Sequence, residues 1–252
     1  MAVKLEGEMR AVFVVGTGRS GTHFLLRSLK GFSKTYDPHN GKEYGPVLKD
    51  IAKAAIHHRL PSKDTEAYYR RQMSETSSVL LDQHHPNLFF AEHWKSRLDD
   101  IVFLYLDRPT VQIVASMMRH KGVQSWYSYA TNWRRRTIDR IPYPNRFLGV
   151  DHFREIRTLP LHLLCARRVI AHRRAYEAAY DMIPDRMRRI FYEDLVSDPN
   201  GTLTSVFSDE EQKLLGNFEL VETPKQQSLS KFLDVLDAKQ IAEIEELEES
   251  AR

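Results

Sequence analysis

The chain has 252 residues, 42% hydrophobic and 28% charged; this fits one folded domain spanning 1–252 and excludes a disordered chain. A formal net charge of +3 gives no case for a nucleic-acid partner, yet it suits a protein that holds one polyanionic small molecule. The lone cysteine, Cys165, excludes an internal disulfide and a cysteine-rich zinc site, and its apolar surroundings (LHLLCA) make it a buried structural thiol.

The N-terminal stretch MAVKLEGEMR mixes charges of both signs and lacks the apolar core of a signal peptide. No run approaches the ~18 apolar residues of a membrane span, so no membrane partner and a cytoplasmic location are expected. AVFVV (11–15) is short, β-branched and followed by a glycine-rich turn, which predicts a buried parallel strand. THFLLRSLKGF after the turn carries apolar residues at helical spacing and ends near Gly31, predicting a helix. Further helices are expected over 45–59, 63–74 and 152–180, the last with one arginine-rich face in solvent. Strands are expected at 77–82, 101–106 and 188–192, with Pro109 opening a helix after the second of these. In the C-terminal DAKQIAEIEELEE, Asp237 and Gln240 stand at capping-box spacing, with Ile241, Ile244 and Leu247 on one side. Strands alternating with helices predict an α/β fold: a parallel sheet flanked by helices on both faces, of the P-loop nucleotide-binding kind.

The strongest chemical signal is GTGRSGTHFLL (16–26), set between a strand and a helix. Phosphate groups need backbone N–H donors converging on one concavity, and a helix N-terminus supplies them with its partial positive charge. Gly16, Gly18 and Gly21 allow a tight turn, Ser20, Thr22 and His23 add side-chain donors, and Arg19 adds a permanent cation. Gly16 and Gly21 have Walker A spacing, but Thr22-His23 replaces the Lys-Ser/Thr that ATP-Mg²⁺ chemistry requires.

The segment GTGRSGTHFLLRSL resembles the 5′-phosphosulfate loop of the sulfotransferases that use 3′-phosphoadenosine 5′-phosphosulfate. Its Arg-Ser-Gly-Thr form is that of carbohydrate-type and many bacterial members. The resemblance implies that Gly18, Arg19, Ser20, Gly21, Thr22 and His23 hold the donor's 5′-phosphate and sulfuryl group. It also implies a second anion site for the 3′-phosphate: an arginine ending a strand and a serine eight residues later. IVFLYLDRPTVQIVAS supplies Arg108 and Ser116; the order Asp107-Arg108-Pro109 departs from the family's Arg-Asp-Pro. RIFYEDLVSDP resembles a family segment that places Tyr192 at the adenine pocket; Asp194 and Asp198 read as helix caps. KQQSLSKFLDVL adds Ser228 and Lys231 near the donor phosphates.

Sulfuryl transfer needs a base for the acceptor hydroxyl or amine, charge stabilisation on the bridging oxygen, and no metal. Arg19 and the loop N–H groups suit the second task. Four residues compete for the first. Glu43 stands about as far downstream of the loop as the glutamate of carbohydrate-type members, and His84 or His85 stands where others carry a histidine, without the Lys-Thr that precedes it there; Glu43 and His85 stand level, with a slight lean to Glu43, ahead of His84 and Asp82. Trp126, Tyr127, Tyr129 and Trp133 either wall an acceptor pocket or pack the core, and Arg134, Arg135 and Arg136 form a solvated face. The expected activity is sulfuryl transfer to a small-molecule or glycan acceptor. The alternatives are a P-loop kinase, with Asp107 serving Mg²⁺, and a nucleotide-binding module without catalysis. Acceptor identity and oligomeric state are not legible.

Overall fold

The computed structural model describes residues 9–98, 100–131, 141–221 and 230–251, without the side chains of Trp126, Tyr129, Ala130 and Thr131. Trp133, Arg134–Arg136 and Ser228 therefore lie outside the described residues, as do the side chains of Trp126 and Tyr129. The frame is a five-stranded parallel sheet. Its strands are β1 (Ala11–Gly16), β2 (Thr35–Tyr36), β3 (Val79–Asp82), β4 (Ile101–Asp107) and β5 (Met187–Phe191), in the order β2-β3-β1-β4-β5. Alternation along β1 splits the core in two, as the twofold period of a strand requires. Phe13 and Val15 face the helices α2 (Gly45–Ile56), α3 (Lys63–Ser74), α5 (Thr110–Met118), α8 (Leu161–Met182) and α12 (Ala238–Ser250). Val12 and Val14 face α1 (Thr22–Leu29) and the short helices α9 (Tyr192–Ser197), α10 (Pro199–Ser205) and α11 (Asp209–Leu215).

Chain order makes β1 the pivot. After β1 the chain builds β2 and β3 on one side, then crosses to build β4 and β5 on the other. The carboxyl ends of β1 and β4 therefore open a crevice at the switch point, where open α/β sheets hold ligands. Register brings Gly16 level with Leu106, so the loops after both strands leave the sheet together.

Several expected elements differ in the structure. The helix expected over 152–180 is two, α7 (Phe153–Thr158) and α8, interrupted at Leu159 and Pro160. Pro160 has no N–H to continue α7, and its ring forces Leu159 into extended backbone. Only part of the arginine-rich face of α8 is solvated, because Arg173 turns to Asp107 at 3.1 Å. Two elements absent from the sequence reading follow β3: a 3-10 helix at His85–Phe90 and α4 (Ala91–Arg97). Helix α6 (Lys121–Thr131) follows α5. Its Tyr127 is buried and donates to the Leu164 carbonyl at 3.3 Å, packing the core rather than a pocket wall. Asp198 caps α10 through the Gly201 N–H at 2.9 Å, whereas Asp194 lies inside the first turn of α9, whose cap position is Phe191. The C-terminal capping box forms in both directions: Gln240 N–H to Asp237 at 2.8 Å, and Asp237 N–H to Gln240 at 3.2 Å.

Candidate active site

The loop after β1 wraps the N-terminus of α1. Its strain falls on Arg19, at φ 79°, and on Gly21, at φ 112°. A left-handed arginine costs about 1–3 kcal/mol, and such strain concentrates at ligand sites. Gly18 serves a different need: a Cβ there would stand 3.1 Å from His85 Nε2. The Oγ atoms of Thr17 and Ser20 are buried without a hydrogen-bond partner among the described residues. Hydroxyls left so in a loop of N–H donors fit an oxyanion ligand.

Two adjoining cavities open on this loop and share Arg19, Arg108, Ser116 and His120. The first, about 330 Å³, continues along α5 past Gln112 and Arg119 to Lys231. Arg108 and Ser116 thus meet in one pocket, joined to the loop by Arg19 Nε, which donates to Ser116 Oγ at 3.3 Å. Arg108 is aimed by two contacts: its Nε donates to Gln112 at 2.9 Å, and its guanidinium lies 4.2 Å over the Tyr192 ring. Burial lowers the Arg108 pKa, with help from Arg19, but an arginine stays charged regardless. Tyr192 lines neither cavity. Its ring packs against Gly21 and carries Arg108, so it seats the arginine.

The second cavity, about 400 Å³, is lined by Gly18, Glu43, Gln83, His85 and Arg168 among others. Here the two leading candidates for the base prove to be one unit. His85 Nδ1 lies 3.2 Å from Glu43 Oε1. With Nδ1–H donating to the carboxylate, Nε2 keeps a free lone pair, and Nε2 is buried beside Gly18 with no hydrogen-bond partner among the described residues. Burial pushes the His85 pKa down, the Glu43 hydrogen bond and charge pull it up less, and Arg168 and His84 push it further down. Burial alone would raise Glu43, but the His85 hydrogen bond and charge, with His23 and His84, leave the carboxyl below its ordinary value. The pair is therefore a neutral imidazole and a carboxylate, the arrangement in which histidine accepts a proton and the acid orients it. Gln83, unnoticed in the sequence, donates to Thr22 Oγ1 at 3.2 Å and to Glu43 at 3.4 Å, tying loop to pair.

Asp82 and His84 lie beneath, out of reach of a ligand. Asp82 Oδ1 is 2.6 Å from His84 Nδ1, while its Oδ2 accepts from Tyr69, Asn87 and the His84 N–H. Asn87 in turn accepts from Trp94 at 2.8 Å. His84 Nε2 meets the Tyr44 N–H at 3.0 Å. His23 meets the Gly41 carbonyl at 3.2 Å, so contacts on both sides pin the segment that carries Glu43.

Asp107 is also committed. Arg173 lies 3.1 Å from one carboxylate oxygen and Arg189 lies 3.6 Å from the other. That is unlike the metal-facing aspartate of a kinase strand. Among the described residues no group of acidic, histidine or cysteine side chains has a metal-binding arrangement, and no helix is long and apolar enough to cross a membrane. Cys165 is buried, with its thiol pushed up to about 12 by burial. A separate cavity of about 750 Å³ lies along α8, past Arg167, Ala171 and Arg174, and includes no residue of the phosphate loop.

No family model matches the chain, and no curated protein matches it. Solved structures do. The chain is similar to a sulfotransferase from Alicyclobacillus acidocaldarius, with 15% identity, TM-score 0.54, and coverage of 99% of this chain and 93% of that one. It is also similar to the sulfotransferase domain of the Synechococcus PCC 7002 olefin synthase, with 17% identity, TM-score 0.48, and coverage of 96% and 86%. A retinol dehydratase in complex with androsterone and the inactive cofactor PAP matches at 14% identity and TM-score 0.41, covering 97% of this chain and 81% of that one. The likeness to the first is one of fold: α/β, with a parallel sheet flanked by helices.

Proposed function

We propose that this protein transfers a sulfuryl group from 3′-phosphoadenosine 5′-phosphosulfate to a hydroxyl of a small-molecule or glycan acceptor. The observation that carries this reading is the Glu43–His85 pair, whose free Nε2 packs against Gly18 of the phosphate loop. A base is needed where the sulfuryl group leaves the loop, and the position of His85 Nε2 beside Gly18 supports that role. Arg108, Ser116 and Lys231, which line one cavity with Arg19, suit the 3′-phosphate. The orphaned hydroxyls of Thr17 and Ser20 suit the 5′-phosphosulfate.

In the proposed reaction His85 Nε2 takes the acceptor's proton as its oxygen forms the new bond to sulfur. The bond from sulfur to the bridging oxygen breaks, and the electron pair stays on the leaving phosphate. Loop N–H groups and Arg19 stabilise that growing charge. Glu43 stabilises the imidazolium that results. A kinase reading lacks support: Thr22 and His23 replace the lysine and hydroxyl of the loop, and Asp107 is held by two arginines.

Calorimetry tests the donor assignment. 3′-Phosphoadenosine 5′-phosphate, the desulfated product, should bind without metal and more tightly than ATP with Mg²⁺. Arg108→Ala should weaken that binding by roughly 1.5–3 kcal/mol, the worth of a hydrogen bond to a charged group. Equal affinity in wild type and variant, or a preference for ATP-Mg²⁺, overturns the reading.

A further inference from the structure

Helix α8 carries four arginines that reach inward or across its neighbours, and three are tethered. Arg167 pairs with Glu155 at 3.2 Å, Arg173 with Asp107 at 3.1 Å, and Arg174 donates to the Ala251 carbonyl at 2.7 Å. Arg168 differs. Its guanidinium lies 4.7 Å over the Phe147 ring, its Nε is buried without a hydrogen-bond partner, and among the described residues no carboxylate pairs with it. A half-buried cation still costs free energy unless paired, and one aromatic face offsets only part of that cost.

Arg168 lines the cavity that holds Glu43 and His85 and is absent from the one that holds Lys231. It therefore stands on the Glu43–His85 side of the loop, in a cavity that also meets Arg19, Arg108 and Ser116 but not Lys231. Glu43 is the one acid lining that cavity among the described residues, and its carboxylate is engaged by His85 and Gln83. Phe24, Met117 and Val123 supply apolar wall. The cavity thus offers a base, an apolar surface and an arginine fork with no counter-charge.

We infer that Arg168 anchors an oxyanion on the acceptor, so that the substrates of this site are hydroxyl compounds that already carry a carboxylate or a like group. A planar fork of donors matches a carboxylate in bidentate fashion, which a lysine would not reproduce in full. The inference rests on the sulfuryl-transfer reading and specifies its acceptor.

The test uses the full chain saturated with 3′-phosphoadenosine 5′-phosphate, so that the donor's anion sites are filled. Two probe pairs differ only in charge: 4-hydroxyphenylacetate against 4-hydroxyphenylacetamide, and p-nitrophenyl β-glucuronide against the β-glucoside. The acidic member of at least one pair should bind wild type tenfold or more tightly. Arg168→Met should erase that preference, Arg168→Lys should keep part of it, and both should bind the desulfated nucleotide as wild type does. Absence of preference in both wild-type pairs, which needs no variant to fold, overturns the inference; so does a preference that survives Arg168→Met. If Arg168 instead meets the sulfuryl group in transit, Arg168→Met lowers turnover alike for acidic and neutral acceptors, and no preference exists to lose. Failure of wild type to bind the nucleotide overturns the sulfuryl-transfer reading itself, and this inference with it.

Discussion

His84 and His85 are adjacent, and each has a carboxylate on Nδ1, yet the two sites under the loop titrate in opposite directions. At His84 burial pushes the pKa down, but Asp82, 2.6 Å away, with Glu43 and the Tyr44 backbone, outweighs it and the ring is held above its ordinary value. At His85 the carboxylate is 3.2 Å away and burial wins, aided by Arg168. One carboxylate partner does not determine a histidine's role. The lower site closes every polar atom into a network of Asp82, Tyr69, Asn87 and Trp94. The upper site leaves Nε2 without a hydrogen-bond partner among the described residues, beside the phosphate loop. The first arrangement shapes the floor of the crevice and the second is fit for proton transfer.

The sharpest way to break this contrast is to remove each ring's function in turn. His85→Ala should lower turnover by about 10²–10⁴-fold, the usual worth of a positioned base. Affinity for the desulfated nucleotide should persist, since Arg108 and Ser116 are untouched. Steady-state rates with calorimetry on the same preparation check both halves; an active His85→Ala enzyme removes the base assignment.

Asp82→Asn should act on stability instead, by roughly 1–3 kcal/mol, because Tyr69, Asn87 and His84 all lose part of their acceptor. The pH dependence has a definite sign. A histidine raised by folding contributes stability that is fully present below its unfolded value near ~6.5 and is lost as pH rises through the folded value. Without Asp82, only Glu43 and the Tyr44 backbone oppose burial, so the low-pH contribution of His84 shrinks. The gap between wild type and Asp82→Asn in urea melts should therefore be wider at pH 6 than at pH 8. A gap of constant width means that His84 is not held up by Asp82.

The residues proposed to hold the donor stood out in the sequence because they are contiguous: one strand, one loop and one helix carry Gly16 to His23, and Arg108 and Ser116 are eight residues apart, from the end of β4 into α5. The two residues of the proposed base pair stood out only as rivals. Glu43 and His85 are 42 residues apart and meet because β3 returns between β2 and β1. No local pattern states that pairing. Arg168 was hidden for another reason: in sequence it is one of several arginines on a helix read as wet, and only the tethering of its neighbours singles it out. The break at Pro160 was visible in principle, since proline marks a helix boundary. Tyr192 shows the converse limit, where a resemblance supplied a position but the neighbouring Gly21 and Arg108 set what the ring touches.

The smallest effect expected is also the most discriminating, because it separates the members of the pair. His85 is held below its ordinary value, so activity that needs the neutral ring should fall as pH drops, with an acid limb below ~6.5. Glu43→Gln removes the hydrogen-bonded carboxylate that pulls His85 up, while burial, Arg168 and His84 still push it down. The limb should therefore move to lower pH. The plateau should fall too, since the imidazolium formed in transfer loses its counter-charge, but it should stay above that of His85→Ala. Arg168→Met removes a cation and should move the limb the other way, upward in pH. If Glu43 were itself the base, Glu43→Gln would leave no limb to follow, and His85→Ala would retain the larger share of activity. Rate profiles of the three variants from pH 5 to pH 8 decide the matter by direction alone: opposite shifts in Glu43→Gln and Arg168→Met identify the titrating group as His85, and shifts of the same sign do not.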